Sequence, residues 1–153
     1  MQPAEYENEL TYHTHQLNGT EEEFHSVYED AVESVKSELG AYHALRIDGE
    51  SVDNDDQFTV QAPGNLDLTI GEFAAGGEAE VDAAVNAAKN AQPDWEHQGA
   101  SERAEVFTNA AQLLRERKFE FAATLSLENG KNRTEAIADI EKRSTSSNST
   151  AGN

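Results

Sequence analysis

Apolar residues recur at helical spacing in the first clearly patterned stretch of the chain. Residues 1–19 are polar and show no sustained period, so we interpret them as an N-terminal arm that lies against another element. Thr20 and Glu23 then predict a capping box at the start of a helix, and Gly40 suits its end. The apolar positions of this helix are Phe24, Tyr28, Ala31, Val35 and Leu39.

The period changes to two between residues 44 and 72, which indicates short β-strands with one apolar face each. The first alternating run surrounds Asp48-Gly49, a dipeptide that strongly favours a hairpin turn. Two more runs follow on either side of Pro63-Gly64, and the last is expected to end at Gly71. The apolar positions of the three runs are Leu45, Ile47, Val52, Phe58, Val60, Ala62, Leu66, Leu68 and Ile70.

The helical period returns after the strands and predicts four more helices. Pro93 is expected to end the first, Ser101 to cap the second and Gly130 to follow the third. Asn132 with Glu135 predicts the cap of the fourth. The apolar positions are Val81, Ala84, Val85, Ala88, Ala104, Phe107, Ala111, Leu114, Phe121, Ala122, Leu125, Ala136, Ile137 and Ile140. The fold is therefore expected to be α/β and helix-rich, with about five helices and a small set of short strands.

The end of the sequence breaks both the helical period and the charge pattern. Residues 142–153 contain no acidic residue, although 30 Asp and Glu precede them. We expect the last helix to end after Ile140 and the tail to be disordered, and a shifted reading frame is a second explanation of the same break. The chain then divides into the arm, a folded segment at residues 20–141, and the tail.

Composition excludes several classes of protein. The 153 residues include 30 acidic and 11 basic side chains and no cysteine, for a formal charge of -19. The lack of cysteine rules out a thiol nucleophile, and the charge disfavours nucleic-acid and anionic-membrane partners. Neither a spanning segment of ~20 apolar residues nor a signal peptide is visible, so a soluble, cytoplasmic protein is expected. We interpret the dispersed acidity as adaptation to high salt, with an ordinary acidic cytoplasmic protein as the alternative.

Motifs that carry chemistry are largely missing from the sequence. Gly71, Gly76 and Gly77 lie between a strand and a helix, but their spacing fits neither a dinucleotide loop nor a P-loop, which favours a plain turn. His13 and His15 would share one face of a strand, yet no third metal ligand has a suitable spacing. We therefore nominate no catalytic, cofactor-binding or metal-binding residue.

Several segments nevertheless resemble the N-terminal portion of the aldehyde dehydrogenases, and among these the 1-pyrroline-5-carboxylate dehydrogenases. The most specific is Glu128–Ile140, in which Glu-x-Gly-Lys-Asn is followed by Glu-Ala-x-x-Asp-Ile. The resemblance covers roughly residues 8–140, and Arg133 departs from it because many relatives carry an aromatic residue there. The other similar segments, in the family's order, are 21–40, 44–52, 81–95 and 101–140.

The resemblance implies the N-terminal part of an enzyme that oxidises glutamate γ-semialdehyde to glutamate with NAD, in proline degradation. It also implies that the catalytic cysteine, the general-base glutamate and the NAD-binding loops lie beyond this stretch. The chain alone is then expected to be an inactive fragment from a truncated or frameshifted gene, without a bound cofactor. Its partners would be the remaining part of the dehydrogenase or intact subunits. The alternative is a non-catalytic module that associates with a full-length aldehyde dehydrogenase.

Overall fold

The computed structural model describes the backbone of residues 12–151 and the side chains of residues 12–142. This part of the chain is α/β, as the sequence predicts, with helices before and after a group of short strands. Its elements are α1 Tyr12–Asn18, α2 Glu21–Lys36, β1 Tyr42–His43, β2 Leu45–Ile47, β3 Glu50–Val52, β4 Gln57–Ala62, β5 Asn65–Ala74, α3 Glu78–His97, α4 Ala100–Glu116, α5 Lys118–Asn129 and α6 Arg133–Ala151.

The apolar positions of α2 face the interior as predicted, but the predicted capping box at its start is wrong. The Thr20 hydroxyl lies 2.8 Å from Nδ1 of His15 and makes no capping hydrogen bond to α2. The Thr20 N–H also donates to the carbonyl of His15, at 2.9 Å. The reason is helix α1, which the polar pattern of the arm did not indicate: it ends directly before α2 and binds the residue that would otherwise cap it.

The predicted hairpin is confirmed. Strands β2 and β3 pair antiparallel with Leu45 opposite Val52 and Ile47 opposite Glu50. Asp48 and Gly49 both have positive φ, of 54° and 79°, which is the backbone conformation that a type I′ turn requires.

The other strands form a second sheet with the order β1-β5-β4. Strands β4 and β5 pair antiparallel, but β5 continues past Gly71 to Ala74, so the predicted strand end is wrong. A Cβ at Gly71 would lie 3.1 Å from the ring of His43 and 3.2 Å from the carbonyl oxygen of Ala41. The glycine therefore permits the close approach of the β1 segment rather than ending the strand.

Four helices follow the strands as predicted, although three of their expected boundaries are wrong. Helix α3 contains Pro93 and continues to His97; this segment is exposed, so water can satisfy the carbonyl that proline leaves unpaired. Gly99, not Ser101, is the N-cap of α4, and its N–H donates to the Glu102 carboxylate at 3.2 Å. Helix α6 runs past Ile140 to Ala151. The division into arm, folded segment and tail stays a prediction.

The boundaries around the α5–α6 loop are confirmed. Gly130 follows α5 with a φ of 70°, the left-handed conformation typical of a helix end. The Asn132 side-chain oxygen accepts a hydrogen bond from the Glu135 N–H at 3.0 Å, which caps α6.

The hydrophobic core is built from α2, α5 and α6. Phe24 is 1% exposed, and its ring contacts Tyr12 of α1 and Phe119 of α5 at centroid distances of 4.9 and 5.7 Å. The buried residues of this cluster are Phe24, Tyr28, Val35, Ala122, Ala123, Ala136, Ile137 and Ile140. Helix α4 packs along α6, with Ala111 buried.

Helix α3 lies largely outside this core. None of its residues is buried, and the only residue of α4 that is buried is Ala111. Trp95 is more than one-third exposed and meets the edge of Phe107 at 6.4 Å between ring centroids. Within the described residues, no helix combines the length and hydrophobicity that crossing a bilayer requires.

Candidate functional site

The segment with the most specific resemblance, Glu128–Ile140, forms one wall of a cleft, and α2 forms the opposite wall. Capping by Gly130 and Asn132 fixes the α5–α6 loop in this position. The cleft has a volume of about 640 Å³ and is lined by His25, Tyr28, Glu29, Val32, Lys36, Ser126, Leu127, Lys131, Asn132, Arg133 and Thr134.

Tyr28 lines the cleft and joins α2 to α5. Its hydroxyl donates to the carbonyl of Ala122 at 2.8 Å and lies 2.7 Å from the Ser126 hydroxyl. Burial raises the pKa of Tyr28 above its usual value, although the hydrogen bond with Ser126 and the nearby charge of Arg133 act in the opposite direction. The phenol therefore stays protonated at neutral pH and acts as a hydrogen-bond donor between α2 and α5.

Arg133, the first residue of α6, reaches across the cleft to α2. Its guanidinium lies 5.4 Å from the centroid of the Tyr28 ring and forms an ion pair with Glu29. A cation over an aromatic face gains about 0.5–1 kcal/mol at an exposed site. Arg133 thus packs on an aromatic ring of α2 and adds a contact between the two walls.

The cationic side chains of the cleft already have anionic partners. Besides Arg133 with Glu29, Lys36 pairs with Glu33 at 2.9 Å and Lys131 pairs with Asp139. These pairs are substantially exposed, so each contributes about 0–1 kcal/mol. The arrangement gives no excess of positive charge for an anionic ligand, and the Ser126 hydroxyl contacts a phenol rather than a base. The geometry supports a structural junction between helices.

We expect Tyr28→Phe to lower the free energy of unfolding by about 1–2 kcal/mol, because the Ala122 carbonyl and Ser126 lose their buried partner. Urea unfolding of both proteins measures the difference. Tyr42→Phe is the matched control, since Tyr42 is exposed, and it should change the value by less than about 0.5 kcal/mol. Equal effects of the two substitutions would show that the Tyr28 hydroxyl does not join α2 to α5.

Gly71, Gly76 and Gly77 do not share one loop in the structure. Gly71 lies within β5, while Gly76 and Gly77 lie in the short connection to α3, where Gly77 is the extended N-cap residue. The Gly77 N–H donates to the carboxylate of Glu80 at 2.8 Å. A side chain of α3 itself therefore occupies the helix N-terminus.

The histidine pair also differs from the expectation. His13 and His15 lie on helix α1, not on a strand, so residues two apart point to different sides. Among the described residues, no group of three His, Asp or Glu side chains could hold a metal ion. That this chain supplies no catalytic, cofactor-binding or metal-binding residue stays a prediction.

The sequence also matches a known protein family and several of its members. A sequence model of the aldehyde dehydrogenase family matches residues 51–152. The 1-pyrroline-5-carboxylate dehydrogenase of Oceanobacillus iheyensis is 36% identical over 112 residues, which are 73% of this chain and 22% of that enzyme. The 1-pyrroline-5-carboxylate dehydrogenase 2 of Halalkalibacterium halodurans is 37% identical over 118 residues, 77% of this chain and 23% of the relative.

Solved structures of similar proteins show the same arrangement of elements. The 1-pyrroline-5-carboxylate dehydrogenase from Thermus with bound NAD superposes with a TM-score of 0.77 at 29% identity, over 97% of this chain and 27% of that one. Proline utilization A from Bdellovibrio bacteriovorus gives a TM-score of 0.85 over 97% of this chain, at 20% identity, which shows the fold alone. The chain spans about a quarter of the length of the curated relatives that it matches.

Proposed function

Because the chain belongs to the aldehyde dehydrogenase family, we propose that it forms the N-terminal region of an NAD-dependent 1-pyrroline-5-carboxylate dehydrogenase. The observation that carries the proposal is the Glu128–Ile140 segment, which has the family's pattern in sequence and lies on the capped α5–α6 loop. Identities of 36% and 37% to enzymes named for this activity support the subfamily. The substrate would be glutamate γ-semialdehyde, in equilibrium with its cyclic imine.

In this proposal the chain acts as a scaffold and does not carry out the oxidation itself. The sequence contains no cysteine, so the chain offers no thiol to attack the aldehyde carbon. NAD would be bound by the rest of the enzyme and would accept the hydride there. The described residues contribute the core of α2, α5 and α6, in which Tyr28 joins α2 to α5.

We also propose that the protein works in the cytoplasm of a salt-rich cell. Its formal charge of -19 is distributed along the sequence up to Glu141. Carboxylates at this density repel one another in dilute buffer, where the Debye length is ~10 Å, and much less at 1 M salt, where it is ~3 Å.

A second candidate function is a non-catalytic module that binds a full-length aldehyde dehydrogenase. The exposed apolar side chains on α3 and α4 favour it, because a surface of this kind is typical of protein contacts. Co-purification of the 153-residue chain with an intact dehydrogenase would support this function over the first.

The proposed function is tested with a chimera in which this chain replaces the matching first quarter of the Oceanobacillus iheyensis enzyme. We expect the chimera to reduce NAD with 1-pyrroline-5-carboxylate as substrate, with kcat/KM within about tenfold of the intact relative. The relative without its first quarter is the control and should be inactive. A folded chimera that oxidises other aldehydes but not this substrate would contradict the assigned subfamily, and a folded chimera without any activity would contradict the proposed function.

A further inference from the structure

Strand β4 forms a free edge of the three-stranded sheet. In the part of the chain that the structure describes, its only strand neighbour is β5, and no strand lies on its other side. Natural sheets protect such edges with charged residues, prolines or a covering element, because an open edge pairs readily with another strand. Gln57–Ala62 contains neither a charged residue nor a proline. The edge is therefore open to pairing with an extended segment.

Alternate residues of β4 direct their backbone groups to this edge. The N–H of Ala75, directly after β5, donates to the carbonyl of Asp56 at 2.7 Å, so the backbone of Asp56 faces β5. In an antiparallel ladder the side on which a residue makes its hydrogen bonds alternates along the strand. The N–H and C=O groups of Gln57 and Thr59 therefore point away from β5, and Gln61 continues the alternation.

A ladder of aromatic rings ends at the same edge. Phe58 lies opposite Phe73, and Phe73 lies opposite His43 of β1, so the three side chains share one face of the sheet. Their rings are nearly parallel, with centroid distances of 5.6 Å between the two phenylalanines and 4.9 Å between Phe73 and His43. Phe58 is the last ring of the ladder and is 52% exposed. A strand that pairs with β4 would cover this ring.

The sequence of β4 is complementary to itself. Residues 57–61 read Gln-Phe-Thr-Val-Gln, an order of polar and apolar residues that is the same in both directions. If two copies pair antiparallel about Thr59, each side chain lies opposite one of its own class, and aromatic with β-branched and Thr with Thr are pairs that stabilise sheets. The facing pairs are Gln57 with Gln61, Phe58 with Val60 and Thr59 with Thr59.

The same register keeps the carboxylates of the two copies apart, although each copy carries a charge of -19. Asp56 would lie opposite Ala62 of the second copy, which leaves the two Asp56 residues about 20 Å apart at ~3.3 Å per residue. Glu72 lies opposite Thr59 on β5, so the two Glu72 residues would be about 14 Å apart, across three strand spacings. Both distances exceed the Debye length of ~10 Å at 0.1 M salt.

We infer that β4 is the edge at which two copies of this chain dimerise, by antiparallel pairing of residues 57–61 about a twofold axis at Thr59. The dimer has one continuous six-stranded sheet, with three strands from each copy. The pairing is isologous, as in most twofold dimers, and it satisfies the outward backbone groups while Val60 of the second copy covers Phe58. A single strand pair is smaller than a standard interface, so the dimer is reversible. It does not depend on the proposed function, since a chain of any activity would pair by this edge.

Sedimentation equilibrium of the full chain at ~1 M KCl measures its mass over a range of protein concentrations. We expect the mass to rise with concentration from that of one chain to that of two. Thr59→Lys should move this rise to at least about tenfold higher concentration, because two lysines would face each other at the twofold axis. Thr108→Lys is the matched control: Thr108 is exposed on α4, the charge change is the same, and the association should stay within about twofold of the parent chain.

Mixing variants of opposite charge tests the register. Thr59→Glu alone should also weaken association at least about tenfold, whereas an equimolar mixture of Thr59→Lys and Thr59→Glu should associate within about threefold of the parent chain, because opposite charges then face each other. Circular dichroism of each variant should match the parent spectrum, since Thr59 is exposed.

Three results would overturn the inferred dimer. The first is a parent chain that stays monomeric up to about 1 mM. The second is a dimer that Thr59→Lys weakens no more than Thr108→Lys does, which would place the contact on another surface. The third is an equimolar mixture that associates no better than either Thr59 variant alone, which would exclude pairing about Thr59.

Discussion

Phe24→Ala is expected to lower the free energy of unfolding by about 3–5 kcal/mol, enough to unfold most molecules of a marginally stable domain. Phe24 is 1% exposed and its ring lies among aromatic rings of three helices. The centroid distances are 4.9 Å to Tyr12, 5.7 Å to Phe119 and 5.8 Å to Tyr28. Removing the ring leaves a cavity where α1, α2 and α5 meet.

The measurement is urea unfolding at high salt, followed by circular dichroism. Phe58→Ala is the matched control, since the Phe58 ring is 52% exposed on the edge strand β4, and its cost should stay below about 1.5 kcal/mol. A Phe24→Ala protein that unfolds at the same urea concentration as the control would show that the core is not centred on α2.

Salt is expected to have the second largest effect. In dilute buffer the free chain should be poorly folded or aggregated, because its charge of -19 is unscreened and large apolar side chains of α3 and α4 are exposed. At ~1 M KCl the Debye length falls to ~3 Å, the carboxylates repel one another less, and cooperative thermal unfolding should appear. Thermal melts at increasing KCl concentration measure this.

The control for the salt effect separates screening from general exclusion of solutes. A non-ionic osmolyte also favours the compact state but leaves carboxylate repulsion in place, so it should rescue folding much less than KCl does. A sharp thermal transition of monomeric chain in dilute buffer would contradict the interpretation of the acidity as salt adaptation.

Elements with a strong local pattern could be predicted from the sequence. The hairpin at Asp48-Gly49 follows from two positive φ angles that few dipeptides tolerate, and the end of α5 at Gly130 follows from the same preference. The buried side of α2 follows from apolar spacing alone. In each case a few neighbouring residues determine the conformation.

The predictions that are wrong concern residues whose conformation depends on distant parts of the chain or on exposure. Thr20 binds His15 instead of capping α2, and Gly71 lies within a strand because the β1 segment approaches it closely. Pro93 does not end α3, which is exposed to water there.

The cleft could not be predicted for a related reason. Tyr28 and Ser126 are 98 positions apart, and Arg133 reaches Glu29 across 104 positions. No local spacing indicates such pairs. The sequence singled out Glu128–Ile140 by resemblance, but the partner of that segment, helix α2, becomes visible only in the fold.

We propose that this chain contributes the N-terminal scaffold of a dehydrogenase whose thiol nucleophile is located elsewhere. The most direct test is the reduction of NAD by the purified 153-residue chain, folded at high salt and supplied with 1-pyrroline-5-carboxylate. We expect no NADH above the rate without protein, because the chain contains no cysteine. Sustained formation of NADH that scales with the concentration of the chain would contradict it.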